Sequence, residues 1–272
     1  MGKWFLELMM LESELIVREY SKRTIEFYKK TTEEFLNFTN KSPESFTKED
    51  IQEYLEYQIK VVGLSKNTIM TRFNAIEFFI VKVLGMDITE TIEKFEREYK
   101  NKELITESEF LTLVSHDIGE RNRAMYYLAY YLGLSAEELS ELNREDFDVY
   151  NENTLEIERR QESIKIKENK VIEVLNKWIE KREFLVGVMK ETAMFINQDY
   201  KRLNNRSIGR WLLLDCEEFG INKKVSFKTL KYSRAYELVT NGKEKEAKEL
   251  LGYREMDRVY RYFKEIGHEI KK

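Results

Sequence analysis

Residues 226–262 read SFKTLKYSRAYELVTNGKEKEAKELLGYREMDRVYRY, and the rest of the chain is best understood outward from them. Lys228, Lys231 and Arg234 recur every third residue, so a helix running from Thr229 onward gathers them into one cationic ridge. Asn241-Gly242 follows the apolar run Ala235, Leu238, Val239 and reads as a helix stop. Leu250-Leu251-Gly252-Tyr253 ends the next short helix, and Tyr260 and Tyr262 fall in the last one. Cations beside a positioned tyrosine are what attack on a phosphodiester by a phenol needs: the cations neutralise the phosphate and the phenol supplies the nucleophile. A solvated Lys/Arg face with core tyrosines accounts for the same residues.

The 272 residues suit one large domain or two ordinary ones. With 42% hydrophobic and 35% charged residues, the composition is that of a heavily charged globular chain able to bury a core. A single proline, Pro43, among many Glu, Lys and Leu points to a mainly helical protein. No apolar run is long enough to span a membrane, and the glutamates in MGKWFLELMMLESELIVREY argue against a signal peptide or anchor. The lone Cys216 makes no internal disulfide and fits a reducing cytoplasm. His116, His268 and Cys216 are too scattered to suggest a metal site, and no cofactor is implied. A net charge of −4 and a sequence pI of about 5.7 weigh against nucleic-acid binding. The charge is uneven, however: residues 201–234 hold nine Lys/Arg against only Asp215, Glu217 and Glu218. The local field is what a phosphate feels.

From the N-terminus, residues 3–17 read as an amphipathic helix. Ser21 caps a second, with Ile25, Tyr28, Phe35 and Leu36 on one side. Thr47 with Asp50 opens a third, and Ser65 opens a fourth that Gly85 stops. Four short-looped helices predict a small bundle over residues 1–96. The charged segment FEREYKNK, residues 95–102, lacks apolar periodicity and sits in a linker placed at 97–105. Thr106 with Glu109 starts a second domain, 106–272, with helices at 107–115 and 121–132 and a short one opening at Ser135. Alternation over 153–167 predicts a β-hairpin turning near Gln161-Glu162. Then come a helix at 168–190, a strand at 194–196 and a helix at 207–219.

Five pieces in this order resemble the tyrosine recombinase (phage integrase) family, Xer-like, over nearly the whole chain. YSKRTIEFYKKTTEEFLNF and GLSKNTIMTRFNAIEFFIVKVL are similar to two helices of its core-binding domain. YYLGLSAEELSELNREDFDV resembles the segment that normally reads Gly-Leu-Arg, and residues 195–242 resemble the approach to the His-x-x-Arg box. KELLGYREMDRVYRY resembles the Leu-Gly-His turn and the nucleophilic tyrosine. The resemblance implies a mainly α fold, α+β in its second domain. A four-helix SAM-like core-binding domain would precede a catalytic-type domain with a small β-hairpin or sheet. It further implies two domains clamping duplex DNA and a 3′-phosphotyrosyl intermediate, with no metal or nucleotide.

Carried over position by position, the catalytic set is worn. The first arginine falls on Ser135 and the box arginine on Lys231, while the box histidine becomes Lys228. The later His or Trp falls on Tyr253, the hairpin lysine nearest Arg160 or Arg159, and the nucleophile on Tyr262. An arginine fork grips two phosphate oxygens; a lysine is a point charge and a serine carries none. Expected DNA contacts are Lys22, Arg23, Lys66, Arg72, Arg206, Arg210, Lys228, Lys231 and Arg234, with base contacts from 65–72 and 204–210. Partners implied are double-stranded DNA and a homo-oligomer (a tetramer on DNA) or a partner recombinase, in the cytoplasm. Three readings stand at this point. The first is a DNA-binding family member with impaired or absent cleavage. The second is an active recombinase using Tyr262, with Arg121, Arg123 or Arg234 replacing the missing fork. The third is a protein-interaction module that has left DNA.

Overall fold

The computed structural model describes residues 3–88, 103–148, 154–157, 162–187, 189–252, 255–268 and 270. The chain divides into two compact units, Met1–Tyr99 and Lys100–Lys272. Of the expected linker, 97–102 lie outside the described residues, whereas Leu104 and Ile105 are buried and the Ile105 amide donates to Ser233 Oγ at 3.0 Å.

The first unit is built from α1 (Phe5–Val17), α2 (Lys22–Thr39), α3 (Lys48–Lys60) and α4 (Lys66–Phe78). Each of the last three starts at a side-chain cap: Ser21, Thr47 and Ser65 accept from the amides of Thr24, Asp50 and Thr68. Leu11, Leu15, Phe35, Leu36, Ile51, Leu55, Ile69 and Phe73 meet in one core. The expected regular helix to Gly85 instead passes at Phe79 into a π turn, Phe79–Val83, whose extra residue lets both Phe79 and Ile80 point into that core.

Asp50 is the buried anchor of the α3 cap, accepting from the Thr47 amide at 2.9 Å and from Lys41 at 2.5 Å. Burial opposes its ionisation, but the Lys41 and Thr47 hydrogen bonds outweigh burial and hold the carboxyl below its ordinary value. A carboxyl depressed in the folded state stabilises above its unfolded pKa and loses that contribution as pH falls through the folded value. Urea unfolding followed between about pH 3 and pH 7 should therefore show an acid-side loss of stability that Asp50→Asn flattens. An unchanged acid slope in that variant would remove Asp50 from the account.

The second unit comprises α5 (Glu107–Ser115), α6 (Gly119–Leu132), α7 (Ala136–Glu141), α8 (Asn169–Val186), α9 (Asn205–Glu218), α10 (Phe227–Thr240), α11 (Glu244–Leu251) and α12 (Met256–Glu265). Helix α6 is its centre, since MYYLAY, residues 125–130, is buried on every side and the helix packs against both α8 and α10. Inside it, Asp215 of α9 accepts from Tyr126 Oη and from Asn122 Nδ2 at 3.1 Å. Desolvation, followed by that hydrogen bond, pushes the Tyr126 phenol far up and keeps it a donor.

The sheet has three antiparallel strands in the order β1 (Phe147–Asp148), β2 (Thr154–Ile157), β3 (Glu162–Lys165). The expected hairpin pairing is present, with Ile157 opposite Glu162, so Glu162 belongs to β3 and not to the turn; residues 158–161 lie outside the described residues. The strand expected at 194–196 is replaced by two isolated bridges, Asn143 with Ala193 and Ile196 with Arg202. The helix expected to reach residue 190 ends at Val186, where Gly187 turns the chain with φ 53°. Among the described residues no helix is long and apolar enough to cross a membrane, and no group of three His, Cys, Asp or Glu is placed to hold a metal.

Candidate active site

Helix α10 begins at a reciprocal cap between Ser226 and Thr229, which sets Lys228 and Lys231 in its first turns. Beside them ends α6. Gly133 caps that helix with φ +67°, and an added Cβ there would lie 2.7 Å from the Leu250 carbonyl and 3.2 Å from Lys231 Cε. Glycine is thus required twice, for the left-handed turn and for the close approach of α11. This contact brings the loop leading to Ser135 against the Lys231 side chain.

Ser135 is wholly occupied as a helix cap. Its amide and Oγ donate to Glu138 at 2.7 and 2.8 Å, and its Oγ receives the Glu138 amide at 3.2 Å. The Glu138 carboxylate is nearly buried beside position 135.

Helix α12 docks on α10 and α11 through Val259, Phe263 and Ile266, all buried. That docking sets the Tyr262 ring on the Tyr232 ring, centroids 3.7 Å apart and planes within 26°. Lys228 Nζ stands over both, 5.5 Å from the Tyr232 centroid and 5.6 Å from that of Tyr262. Tyr260 is different: its hydroxyl donates to Glu244, and this hydrogen bond above all pushes the phenol up to about 12. Of the two tyrosines, Tyr262 is the one the fold brings to Lys228. Tyr253, Arg159 and Arg160 lie outside the described residues.

Arg234 departs from the expected ridge. Its guanidinium turns to Glu237 at 2.8 Å and packs over the Tyr131 ring at 5.1 Å, leaving its side chain only 15% exposed. The other arginines considered as substitutes for the fork are committed too. Arg121 donates to the Ile196 carbonyl and to Asn122, and Arg123 to the carbonyls of Val114 and His116. Arg72 is likewise engaged, held inside the first unit by Glu34 and by Tyr54 Oη at 3.1 Å. Arg202, from the basic segment, caps the end of α7 through the carbonyls of Ser140, Glu141 and Leu142. By contrast Arg206 and Arg210 stand exposed one turn apart on α9, while Lys22 and Arg23 start α2 and Lys66 starts α4 in the open.

Sequence reasoning missed Tyr232 as a site residue. The signal was present, for Lys228 and Tyr232 are four apart and so share a helix face. What the spacing lacked was the partner from α12.

The family-model matches define the class. Residues 7–90 match "Phage integrase, N-terminal SAM-like domain" and residues 103–266 match "Phage integrase family", and the chain belongs to that family of tyrosine recombinases. It is 26% identical over 254 residues to a tyrosine recombinase of Thermosipho africanus, covering 87% of each chain. To the tyrosine recombinase XerD of Oceanobacillus iheyensis it is 27% identical over 234 residues, 80% of this chain and 78% of that one. Its fold matches a lambda integrase dimer bound to a COC′ core site with a TM-score of 0.76 at 15% identity, over 98% of this chain and 97% of the other.

Proposed function

We propose that this chain binds duplex DNA as a member of the tyrosine recombinase family whose strand-cleaving centre is strongly weakened. The observation that carries this is at position 135, where a serine–glutamate cap occupies the place of a phosphate-gripping arginine. Lys231 stands at the second arginine position, and Arg121, Arg123 and Arg234, weighed as replacements for the fork, are engaged with other partners. Removing one preorganised transition-state donor costs on the order of 10²–10³ in rate. The dimeric lambda integrase complex supports assembly of more than one copy on DNA. Cytoplasmic residence follows from such a role.

The surface for DNA is drawn from the cations left exposed: Arg206 and Arg210 on α9, with Lys22, Arg23 and Lys66 on the first unit. Neutralised phosphates release counterions, so affinity should fall with salt along a log–log slope of about −0.9 per contact. Arg206→Ala and Arg210→Ala should each reduce that slope by about 1, whereas Arg72→Ala should leave it unchanged. Salt-insensitive or absent binding would turn the reading to a protein-interaction module. Detergent-resistant adducts on unmodified DNA at full recombinase rates, lost in Tyr262→Phe, would instead favour an active recombinase. The Lys228–Tyr262 contact is the feature that favours that second reading.

A further inference from the structure

The Tyr232–Tyr262 pair is more than core packing by its chemistry. A ring-on-ring contact at 3.7 Å fixes the plane of the Tyr262 phenol, leaving rotation of α12 as the way to move its oxygen. Lys228, four residues before Tyr232 on the same helix, covers both rings. Phe263, the neighbour of Tyr262, also meets the Tyr232 ring edge-on at 6.3 Å. One residue of α10 therefore touches the candidate nucleophile, its neighbour and the lysine at the former histidine position.

We propose that Tyr232 is a positioning residue: its ring holds the Tyr262 phenol in place beneath the Lys228 ammonium group. The proposal rests on the reading of Tyr262 as the residual nucleophile of a weakened centre. A misplacement of about 1 Å can cost on the order of a hundredfold in rate, so a stacking platform beneath the attacking group is a sensitive point.

The test uses the full chain and DNA in which sulfur replaces the 5′ bridging oxygen of the scissile phosphate. In that step Tyr262 Oη forms a P–O bond, the P–S bond breaks, the phenol proton passes to solvent and a 5′-thiolate leaves. A thiolate leaves without protonation, so the step reports nucleophile placement in a centre short of donors. In parallel, fluorotyrosine labelling gives a fluorine resonance for Tyr262, assigned by its loss in Tyr262→Phe. Its chemical shift reads the ring beneath it.

Tyr232→Leu should move that resonance and lower the adduct rate by about ten- to a hundredfold. Tyr232→Phe, which keeps a ring, should recover both. A resonance that moves in Tyr232→Leu while the adduct rate holds would reduce the pair to packing and overturn the proposal. So would a resonance indifferent to Tyr232→Leu. No adduct from the unsubstituted chain, with salt-sensitive DNA binding intact, overturns the positioning role alone. Loss of DNA binding itself, read separately, overturns the function proposed above.

Discussion

On the weakened-centre reading proposed above, arginines at positions 135 and 231 should convert a weak centre into a working one. Lys231→Arg alone supplies a fork at a position whose lysine already lies in the site, beside Gly133. The larger gain lies at 135, and it needs two changes. An arginine placed there alone would meet Glu138, which already accepts from residue 135 and is nearly buried. A bidentate pair with that carboxylate would consume the fork. Glu138→Gln removes the charge yet keeps a side-chain acceptor for the residue 135 amide, since Gln serves at that capping position as Glu does. The lost Ser135 Oγ costs about 0.5–2 kcal/mol of stability, which a folded domain tolerates. Ser135→Arg/Glu138→Gln/Lys231→Arg should therefore raise covalent adduct formation on unmodified duplex by at least 10²–10³, the order of one restored donor. Detergent-resistant protein–DNA species counted over time are the measurement. A starting chain that already cleaves as fast as the triple variant would sink the weakened-centre reading. No gain in the triple variant, despite intact DNA binding, would locate the defect elsewhere.

How much of this was legible beforehand divides by range. The caps at Thr47, Thr106 and Ser135 were readable because acceptor and donor lie three residues apart, and all three form with their partners Asp50, Glu109 and Glu138. The helix over Lys228 and Lys231 was readable from spacing. The partner of Arg72 and the ring packing of Arg234 were not, because both come from distant segments; only Glu237, three residues on, lay within local reach of Arg234. Glu34 lies 38 positions from Arg72, and Arg234 packs against rings of α6 more than a hundred positions away. The substitutes Arg121 and Arg123 failed for the same reason, since backbone carbonyls claim them. Strand β1 was missed because two residues carry no alternation to detect, and the π turn because Phe79 and Ile80 fit a helical pattern equally well. Tyr232 became a site residue only when α12 folded back onto α10, a contact across thirty positions.

That folding-back carries the last expectation. Helix α12 spans ten residues, too few to persist alone in water, and its hold on the unit runs through Val259, Phe263 and Ile266. Phe263 is the largest of these, fully buried with its ring 5.2 Å from that of Tyr236. Phe263→Ala removes about 3–5 kcal/mol of packing, comparable to what so short an element has to hold it in place. The main core around α6 belongs to a separate cluster, so the loss should appear as local release of α12 rather than global unfolding. Trypsin should then cut at Arg258, Arg261 or Lys264 while α6 amides stay protected from hydrogen exchange. DNA affinity, drawn from Arg206 and Arg210 on α9, should change by no more than a few-fold. Adduct formation on the bridging-sulfur DNA should fall by about a hundredfold, because Tyr262 leaves with its helix. Exchange of the α6 amides at the same rate as those of α12 would show one cooperative unit and remove the separable element. An undiminished adduct with α12 released would mean that Tyr262 does not attack the phosphate, and that a different residue does.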